Sequence, residues 1–183
     1  MNVKSVGFIE LTSIAAGFLV ADTMLKSSDV KLLLSRSICS GKYMVLVTGD
    51  ASAVESAVKS GIQIAHGCVI GSLVVPNIHP DVISAIGRTS ITTPSGALGI
   101  VEAFSVTALL QAADTAVKSA DIQLLEVRLA MALGGKAFVT LTGAVAAVQE
   151  AVESARRVIS EQGMLVNAVV IARPHPDVYR EVV

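Results

Sequence analysis

The sequence predicts an α/β fold, more narrowly α+β of the ferredoxin-like split β-α-β kind, written twice in tandem. Three observations carry that expectation. Short motifs recur at a nearly constant spacing. Each copy runs through apolar strands and amphipathic helices in the order β-α-β-β-α-β. Both copies begin at the same first strand, so the two domains are non-permuted. Val6-Gly-Phe-Ile-Glu10 returns as Leu98-Gly-Ile-Val-Glu102. Ala21-Asp22-Thr-Met-Leu-Lys26-Ser27-Ser-Asp29 returns 92 positions on as Ala113-Asp114-Thr-Ala-Val-Lys118-Ser119-Ala-Asp121. Gly41-Lys42 and Thr48-Gly49 return 94 positions on, and His79-Pro-Asp-Val82 returns 96 positions on as His175-Pro-Asp-Val178. The second copy therefore carries two extra residues in one loop and two more before its last strand. Arg88 to Gly96, rich in Thr, Ser, Pro and Gly, reads as the linker between domains at 1–90 and 91–183.

Each element has a local cause. Val3 to Leu11 is an apolar strand. Ser13 is placed to cap the Ala-rich helix that follows. Asp29 to Ile38 is a second strand, Ser40-Gly41 a turn, and Tyr43 to Gly49 a third strand. Asp50 or Ser52 starts a second helix whose Ala53, Val54, Ala57 and Val58 share one face. Cys68 to Val75 is a fourth strand. His79-Pro80-Asp81 opens a short helix, with Pro near its first position and Asp favoured by the dipole. Two copies of so small a unit point to a pseudo-symmetric assembly, because a solenoid needs more repeats.

Composition narrows the function. Of 183 residues, 52% are apolar and only 16% charged, with a formal net charge of −1. Near-neutrality leaves no electrostatic footprint for nucleic acid or an anionic membrane. Aromatic residues are 3% and Trp is absent, so base-stacking platforms are not expected either. A chain this short cannot bury all its apolar side chains in its own core, so part of that surface is expected in subunit interfaces. The charge-free stretch from Ser60 to Pro80 is broken by Gly61, Gly67, Gly71, Pro76 and Asn77, an unsuitable pattern for a membrane span. The first residues lead straight into a strand without a signal-peptide pattern, and neither Cys39 nor Cys68 sits in a C-x-x-C pair. A reducing, cytoplasmic setting is the expectation.

The repeated unit resembles the bacterial microcompartment (BMC) shell domain. The resemblance rests on G-x-x-E in the first strand, A-D-x-x-x-K-S-x-D at the end of the first helix, and I-A-R-P-H-P-D-V after the last strand. It covers nearly the whole chain, twice. It implies a non-enzymatic shell protein, a homotrimer that mimics the hexamer of single-domain shell proteins. Such a trimer would tile a facet with other shell proteins in the microcompartment shell, within the cytoplasm. It also implies that Lys26, Lys118, Asp29, Asp121, Asn77 and Arg173 lie at the tile edge. Asn77 stands where Arg173 stands in the second copy, so the two kinds of edge are expected to differ. The loop Ser37-Ile38-Cys39-Ser40-Gly41-Lys42 is most similar to that of the tandem shell proteins of propanediol-utilisation compartments, with Ser40 where Pro is expected. That similarity implies a pore loop with an iron–sulfur cluster on the central axis, and an encapsulated redox enzyme as partner.

Cys39 is the residue singled out. A free cysteine is ordinarily a small buried hydrophobe, yet this one lies in a Ser-Cys-Ser-Gly turn, and the corresponding loop Ala130-Met-Ala-Leu-Gly134 has none. A threefold axis would bring three Cys39 thiolates together, which a [4Fe–4S] cluster neutralises, leaving one iron for another ligand. Cys68, opening an apolar strand, reads as structural. Gly-Lys at 41–42 and 135–136 is not a phosphate loop, because Tyr43 and Ala137 replace the required Ser or Thr. Glu10 and Glu102 read as structural hydrogen-bonding groups. His66, His79 and His175 show no metal-ligand spacing. Three alternatives remain open: an open metabolite pore without a cluster, an enzyme using Cys39 as nucleophile, and a small-molecule-binding regulator. The nucleophile would need a nearby base, and no His is close in sequence.

Overall fold

The computed structural model describes residues 5–86, 95–130 and 133–180. The chain divides into two compact units, Met1–Ile78 and His79–Val183. The expected boundary near residue 90 falls within 87–94, outside the described residues, as do the first two residues of the expected opening strand.

The first unit holds β1 (Ser5–Leu11), α1 (Ile14–Ser27), β2 (Val30–Ile38), a 3-10 turn at Cys39–Gly41, β3 (Lys42–Gly49), α2 (Ala51–Ile64) and β4 (Val69–Pro76). The sheet order is β2-β3-β1-β4 with every neighbour antiparallel. That is the ferredoxin-like arrangement expected from the element order. The second unit opens with α3 (Pro80–Ile86). It continues through β5 (Ala97–Ala103), α4 (Val106–Ser119), β6 (Ile122–Leu129), β7 (Ala137–Gly143), α5 (Val145–Glu161), β8 (Leu165–Ile171) and α6 (Pro176–Arg180). Its sheet order, β6-β7-β5-β8, repeats that of the first. No helix among the described residues is long and apolar enough to cross a membrane.

Most repeated motifs have a visible structural cause. Ser13 Oγ accepts the N–H of Ala16 at 3.3 Å and Ser105 Oγ that of Ala108 at 3.2 Å, so both first helices are capped by their predicted serines. Gly7 and Gly99 let a helix lie close on the central strand. A Cβ on Gly7 would sit 2.6 Å from Val58 and 2.7 Å from Val54, and one on Gly99 2.7 Å from both Val152 and Leu141. Thr48 Oγ1 donates to the Ser5 carbonyl at 2.8 Å and Thr142 Oγ1 to the Ala97 carbonyl at 3.0 Å, tying β3 and β7 to the start of the central strands. The core of the first unit gathers Ile9, Leu11, Val20, Met24, Val45, Val47, Val54 and Ala57 between helices and sheet.

One element departs from the sequence repeat. α3 ends the first repeat in sequence, yet it belongs to the second compact unit, where it packs on α4 and on the edge strand β6. Val82 and Ala85 are wholly buried there.

Candidate functional site

The loop carrying Cys39 is the tip of the β2–β3 hairpin. The last ladder pair is Ile38 with Lys42, leaving Cys39, Ser40 and Gly41 to turn the chain. Ser40 has φ 64° and Gly41 φ 71°, so two consecutive residues are left-handed. Gly41 adopts this without cost. Proline is locked near φ −65° and cannot occupy the Ser40 position in this backbone. The turn is therefore built differently from one with Pro there. Ile38 is buried and anchors the loop, Ser37, Ser40 and Gly41 are exposed, and Cys39 is half-buried.

Two non-local contacts fix the base of this hairpin. Lys42 Nζ lies 3.0 Å from Glu10 Oε1, with the Glu10 side chain only 5% exposed. Lys136 and Glu102 repeat the pair at 2.7 Å in a more open setting. The recurring Gly-Lys and G-x-x-E motifs thus supply the two halves of one ion pair. That partnership was legible only in their common recurrence, since 32 residues separate Glu10 from Lys42. The second contact is a size exchange. Tyr43 is buried, its hydroxyl 2.9 Å from Ser35 Oγ and its ring centroid 5.1 Å from that of Phe18. Gly17 on α1 makes room for it, for a Cβ there would come within 2.1 Å of the ring. The counterparts in the second copy are Leu109 and Ala137, both wholly buried. Large on the helix and small on the strand replaces small on the helix and large on the strand.

The expected edge residues are all exposed: Lys26, Lys118, Asp29, Asp121, Asn77 and Arg173. Asn77 is left-handed, at φ 51°. Lys26 pairs with Asp22 at 2.7 Å and Lys118 with Asp114 at 2.5 Å, each one helical turn back. The Asp of A-D-x-x-x-K is therefore part of the lysine's setting, which the i,i+4 spacing signals. Asp114 does more: it is largely buried and its other oxygen accepts the N–H of His79 at 2.8 Å. His79 and His175 each accept, through Nδ1, the N–H of the Asp two residues on at 3.3 Å. That local geometry agrees with their structural assignment. Arg128 pairs with Glu126 at 2.8 Å and lies 5.2 Å from the Phe138 ring centroid. Its counterpart Arg36 has Nε buried without a hydrogen-bond partner among the described residues.

Neither cysteine is in a disulfide. Among the described residues no group of three or more His, Cys, Asp or Glu could hold a metal ion. One chain offers one thiol at the loop, so the residues present fit a cluster only as a ligand set shared between copies. Met131 and Ala132, within the corresponding loop of the second copy, lie outside the described residues.

A family model of the BMC domain matches residues 5–78 and again 97–174. The chain is 42% identical over 180 residues to the bacterial microcompartment shell protein PduT of Citrobacter freundii, covering 98% of each. It is 36% identical over 84 residues to the shell protein PduA of the same organism, covering 45% of this chain and 90% of PduA. Among solved structures, a microcompartment protein from Desulfitobacterium hafniense superposes with a TM-score of 0.92 at 46% identity, covering 97% of this chain and 99% of that one.

Proposed function

The chain belongs to the BMC-domain family of microcompartment shell proteins, and from that premise we propose that it is a structural, non-enzymatic tile of a bacterial microcompartment shell. Three copies form a pseudohexameric ring that packs beside other shell proteins in a facet, within the cytoplasm. The observation that carries this reading is the doubled domain: two units of one strand order, each spanned by the family's match. Three chains then supply six similar domains, and a cyclic trimer closes them. Sedimentation of the purified protein is expected to give three chains per particle, and electron microscopy to give flat sheets. A stable monomer of 18.8 kDa at micromolar concentration would refute the trimer.

At the centre of that ring we place the Ser37–Lys42 loops, and we infer that Cys39 of three subunits holds one [4Fe–4S] cluster. Support comes from the loop itself: a half-buried thiol at the tip of a hairpin, in a turn with open space around Gly41. Such a cluster transfers single electrons, here across the shell to or from an encapsulated redox enzyme. The chain's own contribution is to hold the thiol on a hairpin pinned by Lys42–Glu10 and Tyr43. Anaerobic reconstitution is expected to give broad visible absorbance and about four irons per trimer. Cys39→Ser loses both and stays trimeric, while Cys68→Ser keeps them. If the wild type takes up no iron, the loops line an open metabolite pore.

A further inference from the structure

Lys118 is exposed, but the aspartate that pairs with it is not free to move. The Asp114 side chain is only 10% exposed, against 42% for that of Lys118. Its Oδ2 meets Lys118 Nζ at 2.5 Å, and its Oδ1 accepts the His79 main-chain N–H at 2.8 Å. Both oxygens are committed, one to the lysine and the other to the backbone just before α3. Among the described residues Asp114 is the one carboxylate paired with Lys118. Asp121, three residues on and exposed, does not share the lysine.

This geometry has two consequences. The first is order. A carboxylate tied to a main-chain N–H cannot follow the swings of a lysine, so the flexible stem of Lys118 is tethered to a fixed point. Ordering such a stem in advance removes an entropy cost from any contact the lysine later makes. An ammonium has three N–H donors and this pair uses one, so two remain for another acceptor. The second consequence is charge. Where two like tiles meet about a twofold axis, the same edge residue arrives from both sides. Two bare ammonium groups brought together there repel as water leaves the contact. An aspartate fixed behind each lysine cancels that repulsion.

We propose that Asp114 is the positioning residue and built-in counter-ion of Lys118 at the tile edge. It acts through the lysine and not by touching a neighbour, for as a residue it is only 7% exposed. The proposal rests on the shell-tile reading for the edge itself. It adds why a lysine can stand at a contact between like edges.

Full-length Asp114→Asn tests this, because the amide keeps an oxygen for the His79 N–H and loses the charge. Circular dichroism and sedimentation velocity check its fold and trimer. At about 0.05 M salt the variant is expected to form no sheets by electron microscopy. At about 0.5 M salt, where like charges are screened, its sheets return, while the wild type forms sheets at both. Salt would not repair a merely structural loss. The second readout is Lys118 itself. Limited acetylation below the sheet-forming concentration, read by mass spectrometry, compares it with Lys59, which is exposed. In the wild type Lys118 is expected to react several-fold more slowly than Lys59, and in Asp114→Asn the gap closes. If the variant fails to fold, the wild-type ratio still decides: Lys118 reacting as fast as Lys59 would overturn the proposal. Variant sheets at low salt, variant sheets absent at both salts, or an unchanged acetylation gap would overturn the role of Asp114 and leave the shell-tile reading standing. A wild type that forms no sheets at either salt would overturn both.

Discussion

Replacing Gly17 with Leu and Tyr43 with Ala, singly and together, tests whether the two units share one packing solution with its sizes exchanged. Alone, Gly17→Leu drives a Cβ to within 2.1 Å of the Tyr43 ring, with three more carbons behind it. The ring cannot retreat easily, being buried and hydrogen-bonded to Ser35. Overpacking of this kind costs about 1–3 kcal/mol and sometimes more. The gain from removing a helical glycine, about 1 kcal/mol, offsets only part of it. Alone, Tyr43→Ala opens a cavity and is expected to cost about 3–5 kcal/mol, the range for a buried aromatic. Together the two changes rebuild the Leu109–Ala137 arrangement of the second unit, where both side chains are wholly buried. The double variant is therefore expected to be more stable than the sum of its parts by about 2–3 kcal/mol. Urea denaturation followed by circular dichroism, at one fixed protein concentration, measures the cycle. Additive costs, or a double variant worse than the sum, would refute the exchange.

Asp114→Ala is expected to lower the stability of the second unit by about 1–3 kcal/mol, since it strips a buried acceptor from the His79 N–H. Asp22→Ala is expected to change stability by less than about 1 kcal/mol, because its pair with Lys26 is exposed; thermal melting compares the two. Lys26→Asp with Lys118→Gln is expected to leave a folded trimer that no longer forms sheets by electron microscopy. Gln is chosen at 118 because a carboxylate there would face the largely buried Asp114. Gly41→Ala is expected to cost roughly 1–2 kcal/mol, the left-handed penalty alone, since a Cβ at that position meets nothing within 4 Å. The hydrogen bond from Arg156 holds the Glu153 carboxyl below its ordinary value of 4.5. Its stabilisation is therefore present above the ordinary carboxylate range and lost as pH falls through the depressed value. Because the Glu153–Arg156 pair is open to solvent, Arg156→Gln is expected to raise the Glu153 NMR titration midpoint with melting at neutral pH unchanged.

The doubled domain, the order of its elements, the two serine caps and the turn at Ser40–Gly41 were legible in the sequence. Each depends on a local rule: side-chain periodicity, a capping hydroxyl within three residues, or a residue suited to positive φ. The likeness of each copy to a shell domain was legible too, because the motif order survives in both halves. The aspartate partners of Lys26 and Lys118, one turn away, were not singled out.

Only the tertiary structure decided the rest, because those features join positions that spacing does not relate. Strand order puts β1 between β3 and β4, which brings Glu10 to Lys42 and makes one ion pair of two recurring motifs. Gly17 and Tyr43 are unremarkable apart and become one unit when α1 lies on β3. Most consequential, the last helix of the first repeat is spent on the second unit, so a sequence boundary and a packing boundary part company. The motif specifies that a helix forms after His-Pro-Asp-Val. Where that helix goes depends on which apolar face is within reach of the chain, and for α3 that face is supplied by α4 and β6 of the second unit.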